Sequence, residues 1–227
     1  PFTDKLICCS EFIRQSTIKY YGVSTKHANL IYNCFDPAFS NCYLKRNPKK
    51  KKDFNIGVIG RLDGNRDYET LIESISILNK KKLPIHFTIV GNGVKYKILE
   101  KKIHKLHLEE ITTMTGTQEN IPKVLETFDI FAWPALYREG FGIALIEAIC
   151  SGIPCVATDT PSNRELLNEK YAELVSPKDS YAMAQGIINV MYNYESELDK
   201  TNKIRNEIIE KYSFEKMIIQ YVREMKL

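Results

Sequence analysis

The chain has 227 residues, 44% hydrophobic and 26% charged, with a formal net charge of +4. That composition is typical of a soluble globular protein and excludes a disordered tail, a collagen-like repeat and a disulfide miniprotein. Apolar runs such as 85–90 fall far short of the roughly 20 residues that a membrane span needs. The positive charge is local: Lys45, Arg46, Lys49, Lys50, Lys51 and Lys52 lie together, and the rest of the chain is slightly acidic. Such a run reads as a solvated loop or a peripheral membrane contact. With no aromatic residue interleaved it argues against nucleic acid.

The chain opens Pro1-Phe2-Thr3-Asp4, with neither Met nor an apolar leader, so a processed chain or a piece of a longer one is expected. Leu6 to Cys9 reads as a strand. Ser10 is placed to cap a helix from Glu11 to about Tyr21 that Gly22 closes, and Ala28 to Tyr32 reads as a second strand. This strand–helix–strand unit, 1–36, is too small to bury a core of its own and is expected to be the tail of another domain. Residues 37–53 read as a basic linker. From 54 to 227, apolar runs at 55–59, 85–90, 111–115, 129–133, 154–158 and 172–175 alternate with stretches of helical period. Examples are Leu71, Ile72, Ile75 and Leu78, then Ile98, Ile103 and Leu106, then Leu145, Ala148 and Ile149. Continuous apolar strands alternating with helices predict an α/β fold: a Rossmann-like, doubly wound parallel sheet, here with a helical C-terminus from Asp179 onward. Phe214, Met217, Ile218 and Tyr221 form one stripe of the last helix.

Six cysteines occur without a CxxC pair, which argues against structural zinc and fits reduced thiols in the cytoplasm. His104 and His107 have ligand-like spacing but no companion cluster, and are expected at the surface. No metal site is predicted.

Three strands are followed directly by glycine, at Gly60, Gly91 and Gly116. In open parallel sheets ligands bind outside these carboxyl ends, where glycine lets the backbone turn and approach closely. Gly91-Asn92-Gly93 alone is a weak fragment of a dinucleotide fingerprint. Glu139-Gly140-Phe141-Gly142-Ile143-Ala144-Leu145-Ile146-Glu147 is more informative. Its two glycines precede a helix whose first N–H groups, Phe141 to Ala144, would be free for an anion such as a diphosphate. Carboxylates at Glu139 and Glu147 flank that turn and suit sugar hydroxyls. Arg61, which follows a strand, and Arg66, which reads as opening a helix, lie beside a glycine-bearing loop and could neutralise a diphosphate. Each motif also has a plain structural reading, as a helix cap or a solvated helix start.

The motifs fall in an order that resembles the C-terminal half of family-four (group 1) retaining glycosyltransferases of the GT-B fold. Asn33-Cys34-Phe35-Asp36 is similar to the interdomain Asn-Gly-x-Asp of that family. Val58-Ile59-Gly60-Arg61-Leu62 with Arg66 is similar to its Gly-Arg-Leu…Lys loop, and Ile89 to Gly93 to its Val-Gly-x-Gly turn. Glu139 and Glu147 occupy its Glu-x7-Glu motif. Residues 151–158, with Glu165 beyond, match its Gly-x-Pro-Val strand. The resemblance spans about 5–225 and implies transfer of a sugar from a nucleotide-diphosphate sugar to an acceptor hydroxyl with retention and without a metal cofactor. Surface polysaccharide or glycolipid synthesis is the implied setting, in the cytoplasm or peripherally at the inner face of the membrane.

It also implies roles. Arg61 and Arg66 would hold the diphosphate, Glu147 the ribose, and Glu139 the donor sugar. Gly60, Gly91 and Gly93 would shape the site, and Gly140, Phe141, Gly142 and Ile143 would offer backbone. Thr117 and Gln118 would lie near the base. The acceptor-binding N-terminal domain would be missing, so the chain alone would be inactive. Arg66 stands where the family usually has lysine, and Cys34 where it has glycine. The alternatives are a nucleotide-sugar epimerase of the same fold and a non-catalytic binding module.

Overall fold

The computed structural model describes residues 5–41, 53–167 and 172–225. The lysine-rich run and Cys42 lie outside these residues.

Six strands form one wholly parallel sheet: β3 (Phe54–Ile59), β4 (Ile85–Val90), β5 (Thr112–Gly116), β6 (Ile130–Trp133), β7 (Cys155–Thr158) and β8 (Glu173–Val175). Their order is β5-β4-β3-β6-β7-β8. The chain therefore winds outward from β3 in one direction, then returns to β6 and winds outward in the other, which is the doubly wound topology expected from the sequence.

Both faces are covered, and the alternation along β3 shows why. Ile56 and Val58 point into a core shared with α2 (Tyr68–Lys80), α3 (Tyr96–Lys105) and α7 (Ser180–Tyr192). Ile59 joins the opposite core with α4 (Ile121–Glu126), α5 (Ile143–Cys150) and the later turns of α8 (Tyr194–Lys211). Gly57 sits under Phe128, whose ring would lie 2.1 Å from any Cβ added there. Leu71, Ile72, Ile75 and Leu78 are fully buried on α2. Each contributes roughly 1.5–3 kcal/mol by leaving water. On α3 the inward stripe differs from expectation. Leu99 and Ile103 are buried, while Ile98 is 55% exposed, one helical position round from the sheet. The remaining short helix of this unit is α6 (Pro161–Leu166).

The N-terminal segment folds as β1 (Leu6–Cys8), α1 (Glu11–Tyr21) and β2 (Ala28–Leu30), with the two strands paired in parallel. Ser10 caps α1 by accepting from the Ile13 N–H at 3.2 Å, and Gly22 closes it in the left-handed region. The segment that follows is not purely polar: Phe35 and Phe39 are buried in the core beside α5. The last helix, α9 (Phe214–Met225), meets the β1–β2 unit near its end, where the Glu224 carboxylate accepts from Lys5 at 2.8 Å and Asn29 at 2.6 Å. Among the described residues no helix is long and apolar enough to cross a membrane.

Candidate functional site

The winding direction reverses between β3 and β6, and in open doubly wound sheets ligands bind in the crevice beside the loops leaving the carboxyl ends of such strands. The two loops are tied together. Asp67 N–H donates to the Pro134 carbonyl at 2.8 Å, Leu136 N–H donates to the Asn65 carbonyl at 3.1 Å, and Arg66 bridges Ala135 in antiparallel fashion. Arg66 therefore does not open a helix, as the sequence suggested. It sits in this bridge, and α2 begins at Tyr68 behind an Asp67 cap.

The bridge carries Arg66 into the crevice, where its side chain is only 14% exposed. Its guanidinium lies 4.5 Å from the Trp133 ring centroid and 3.0 Å from Glu139 Oε2. It also lies over Gly60, where an added Cβ would meet Nη1 at 2.8 Å. Three buried polar atoms here have no hydrogen-bond partner among the described residues: Arg66 Nε, Trp133 Nε1 and Glu139 Oε2. The Arg66–Glu139 contact is thus an ion pair without hydrogen-bond alignment. Burial raises the Glu139 carboxyl above its ordinary range, against the pull of Arg66 and of the Phe141 N–H that it accepts. Buried polar groups left unpaired are costly, and they gather where a polar ligand can pair them.

Beside this cluster α5 begins at Ile143, with Gly142 as cap and no side chain satisfying its first donors. The expected run of free N–H groups is shorter than the sequence implied. Phe141 N–H is taken by Glu139 and Ile143 N–H by the Phe141 carbonyl at 3.2 Å, leaving the Gly142 and Ala144 N–H groups without partners among the described residues. These N–H groups and the partial positive charge of the helix start suit an anion.

Gly60, Arg61, Gly91, Thr117 and Gln118 line one adjoining pocket of about 210 Å³, with Ile59, Val90, Asn92 and Ile121. Its floor is built by close backbone approach: Gly91 has φ +135°, and a Cβ there would lie 2.0 Å from the Gly60 carbonyl oxygen. Gly93 packs in the same way behind it, against the Leu62 carbonyl. Arg61 is 80% exposed and contacts Asp63 at 3.6 Å, so its guanidinium is at the rim and not in the cluster. Glu147 stands apart from the other charged groups. It is half-buried, its carboxylate has no hydrogen bond to the described residues, and burial aided by the Asp36 carboxylate pushes it up to about 7. A wider groove of about 750 Å³ runs between α1 and Tyr137–Arg138, and no buried charge pair is among its lining residues.

Two features escaped the sequence reading. Trp133 was visible only as the end of an apolar strand, although its place at a carboxyl end was the available signal. Glu165 was noted as a motif match without a role. Its carboxylate accepts from the Glu11 and Phe12 N–H groups at 2.7 and 3.0 Å, capping α1 from another element. That contact sets Ile13 against Gly140, where an added Cβ would meet it at 3.1 Å. Nearby, Phe141 packs with Tyr32 and Tyr212, whose ring centroids lie 6.2 and 5.5 Å away.

Known proteins resemble this chain. The family model described as "Glycosyl transferases group 1" matches residues 42–210. The UDP-Gal:alpha-D-GlcNAc-diphosphoundecaprenol alpha-1,3-galactosyltransferase of Escherichia coli is 25% identical over 95% of this chain and 58% of its own length. The N-acetylgalactosamine-N,N'-diacetylbacillosaminyl-diphospho-undecaprenol 4-alpha-N-acetylgalactosaminyltransferase of Campylobacter jejuni is 28% identical over 82% of this chain and 50% of its own length. The crystal structure of Anabaena Alr3699/HepE in complex with UDP and glucose superposes with a TM-score of 0.87, covering 98% of this chain and 63% of that one at 20% identity. The chain spans about half the length of the two curated relatives. With the fold, the ordered motifs and a family match over most of its length in agreement, the chain belongs to the glycosyl transferases group 1 family.

Proposed function

We propose that this chain is the donor-binding half of a glycosyltransferase, which takes a nucleotide-diphosphate sugar and transfers the sugar to an acceptor hydroxyl with retained configuration. The observation that carries the reading is the convergence of Arg66, the open start of α5 and Glu139 at the switch point between β3 and β6. Cleaving a glycosyl–phosphate bond builds negative charge on the leaving diphosphate. A fixed guanidinium and oriented N–H groups in a water-poor crevice stabilise that charge where it develops. Arg66 with the Gly142 and Ala144 N–H groups takes the diphosphate, and Arg61 at the rim adds a second cation. Glu139, released from Arg66 by the phosphate, accepts from the donor sugar. Glu147 accepts from the ribose hydroxyls, and the pocket of Thr117 and Gln118 holds the base.

The acceptor is a glycan or lipid-linked sugar. The diphosphoundecaprenol acceptors in the names of the Escherichia coli and Campylobacter jejuni relatives support a polyprenyl-diphosphate carrier. The acceptor-binding portion lies in a domain outside this chain, so the chain alone binds donor and turns over little or none. The setting is the cytoplasm, and the positive charge of the run at 45–52 suits an anionic membrane face. Calorimetric titration of the chain with UDP-, GDP- and ADP-sugars tests the reading. Saturable binding of one of them, weakened at least tenfold by Arg66→Ala, is the expected result. A folded chain that binds none at millimolar concentration would overturn it.

A further inference from the structure

Trp133 is fully buried at the carboxyl end of β6, and its indole touches both halves of the anion site. Its face carries the Arg66 guanidinium at 4.5 Å from the ring centroid. Its edge reaches the cap of α5, where a Cβ added to Gly142 would lie 3.2 Å from Nε1. From below, Phe131 stacks on it at 5.9 Å between centroids and 21° between planes, so the ring cannot tilt freely. The other contacts of Arg66 are narrow. Its Nε has no hydrogen bond among the described residues, Nη1 reaches the Arg61 carbonyl only at 3.4 Å, the Glu139 contact is an unaligned ion pair, and the Tyr68 hydroxyl is a further hydrogen-bond partner. The indole adds a broad face to these point contacts.

We propose that Trp133 is a positioning residue for donor binding: its indole fixes the Arg66 guanidinium and the first turn of α5 relative to one another, so that both meet the same diphosphate. The inference rests on the proposed donor site and adds to it a residue that does not touch the donor. A planar guanidinium stacks on an aromatic face and still presents its outward N–H groups to phosphate, whereas an ammonium gains less from the stack and offers no fork. Arginine at position 66 and tryptophan at position 133 therefore act as a matched pair. Exchanging one changes what the other is worth.

The chain holds a single tryptophan, so its fluorescence reports this contact without interference. UDP, GDP and ADP are each titrated into the parent chain by calorimetry and by tryptophan emission, and the one that binds is carried into Arg66→Lys, Trp133→Leu and the double variant. The expected results are a saturable emission change with the calorimetric midpoint, and about tenfold weaker binding in Arg66→Lys. In the Trp133→Leu background the same lysine exchange should cost threefold or less, because no stack remains to be lost. Should Trp133→Leu fail to fold, Trp133→Phe replaces it in the cycle. The smaller ring then gives a lysine penalty between the two values, and Trp133→Phe alone keeps affinity within about threefold. An equal lysine penalty in both backgrounds, or ligand binding that leaves the emission unchanged, would overturn the proposal. If Arg66→Ala weakens binding while Trp133→Leu does not, the positioning role alone fails. If no nucleoside diphosphate binds the parent, the donor-site reading fails with it.

Discussion

In the six-stranded sheet Ile56, Val58, Phe87, Ile130 and Val156 are inaccessible to solvent, whereas in the two-stranded sheet only Cys8 and Ala28 are buried. The helices follow the same division. α2 buries seven residues, α1 buries Thr17 alone and α9 none. The large sheet is held by apolar burial on both faces, and the small unit by a few directed polar contacts: Glu165 on the start of α1, and Glu224 on Lys5 and Asn29. Apolar burial is spread over many side chains and tolerates the loss of any one polar group, while a latch of this kind depends on single residues. The crevice is built on the first kind of structure, and the wall behind Gly140 on the second.

This difference predicts a ranked series of effects. Phe87→Ala in the large sheet should cost about 3–5 kcal/mol, measured by urea unfolding, because it leaves a cavity that rigid neighbours cannot fill. A cost below about 1 kcal/mol would mean that the sheet is less tightly packed than described. Glu165→Ala should cost about 1–3 kcal/mol, and only locally, because it strips a charged acceptor from two helix N–H groups. Hydrogen exchange should accelerate at Glu11 and Phe12 while the amides of β3 and β4 stay protected. Equal acceleration in both regions would erase the distinction between them.

Glu147 gives a pH-dependent test within the large unit. Its carboxyl, ordinarily near 4.5, titrates at about 7 in the folded chain. The folded state therefore binds more protons than the unfolded state across that window. The group's contribution to stability is fully present below pH 4.5 and is lost as pH rises through 7. Glu147→Gln should raise the melting temperature relative to the parent at pH 8 and leave the difference near zero at pH 4.5. A constant difference across that range would show that Glu147 titrates normally. The smallest effect is expected on α9. Ile218→Ser, at a side chain 41% exposed, should change stability by about 0.5 kcal/mol or less in thermal melts.

Much of this architecture is legible in the sequence, because a strand buried on both faces must be apolar along its whole length. Ile85–Val90 was bounded to the residue, and Glu11–Tyr21 followed from its serine cap and closing glycine. That the Arg66 and Glu139 side chains meet was not stated by the sequence, although both were singled out there as candidates for a diphosphate-sugar site. What could not be read is whatever depends on three-dimensional approach. Arg66 looked like a helix start because Asp67 and Tyr68 follow it, yet pairing with Ala135 holds it outside the helix. Ile98 fitted a helical stripe as well as Leu99 does, and only docking of α3 on the sheet decides between neighbouring positions. The donors of Phe141 and Ile143 looked available because their acceptors, Glu139 and the Phe141 carbonyl, are local partners that emerge only when the turn is built. Trp133 read as one more apolar residue, and its second duty beneath Arg66 has no sequence signature.

Amide chemical shifts of the chain during titration with UDP, GDP and ADP test the central claim most directly, because they locate the site as well as detect it. The largest changes should fall on Gly60, Gly91, Gly142 and Ala144, at the carboxyl ends of β3 and β4 and the start of α5, with β1 and β2 unmoved. Changes concentrated instead on Ser16, Tyr20 and Tyr137 in the groove beside α1, or none at saturating concentrations of all three, would contradict the account.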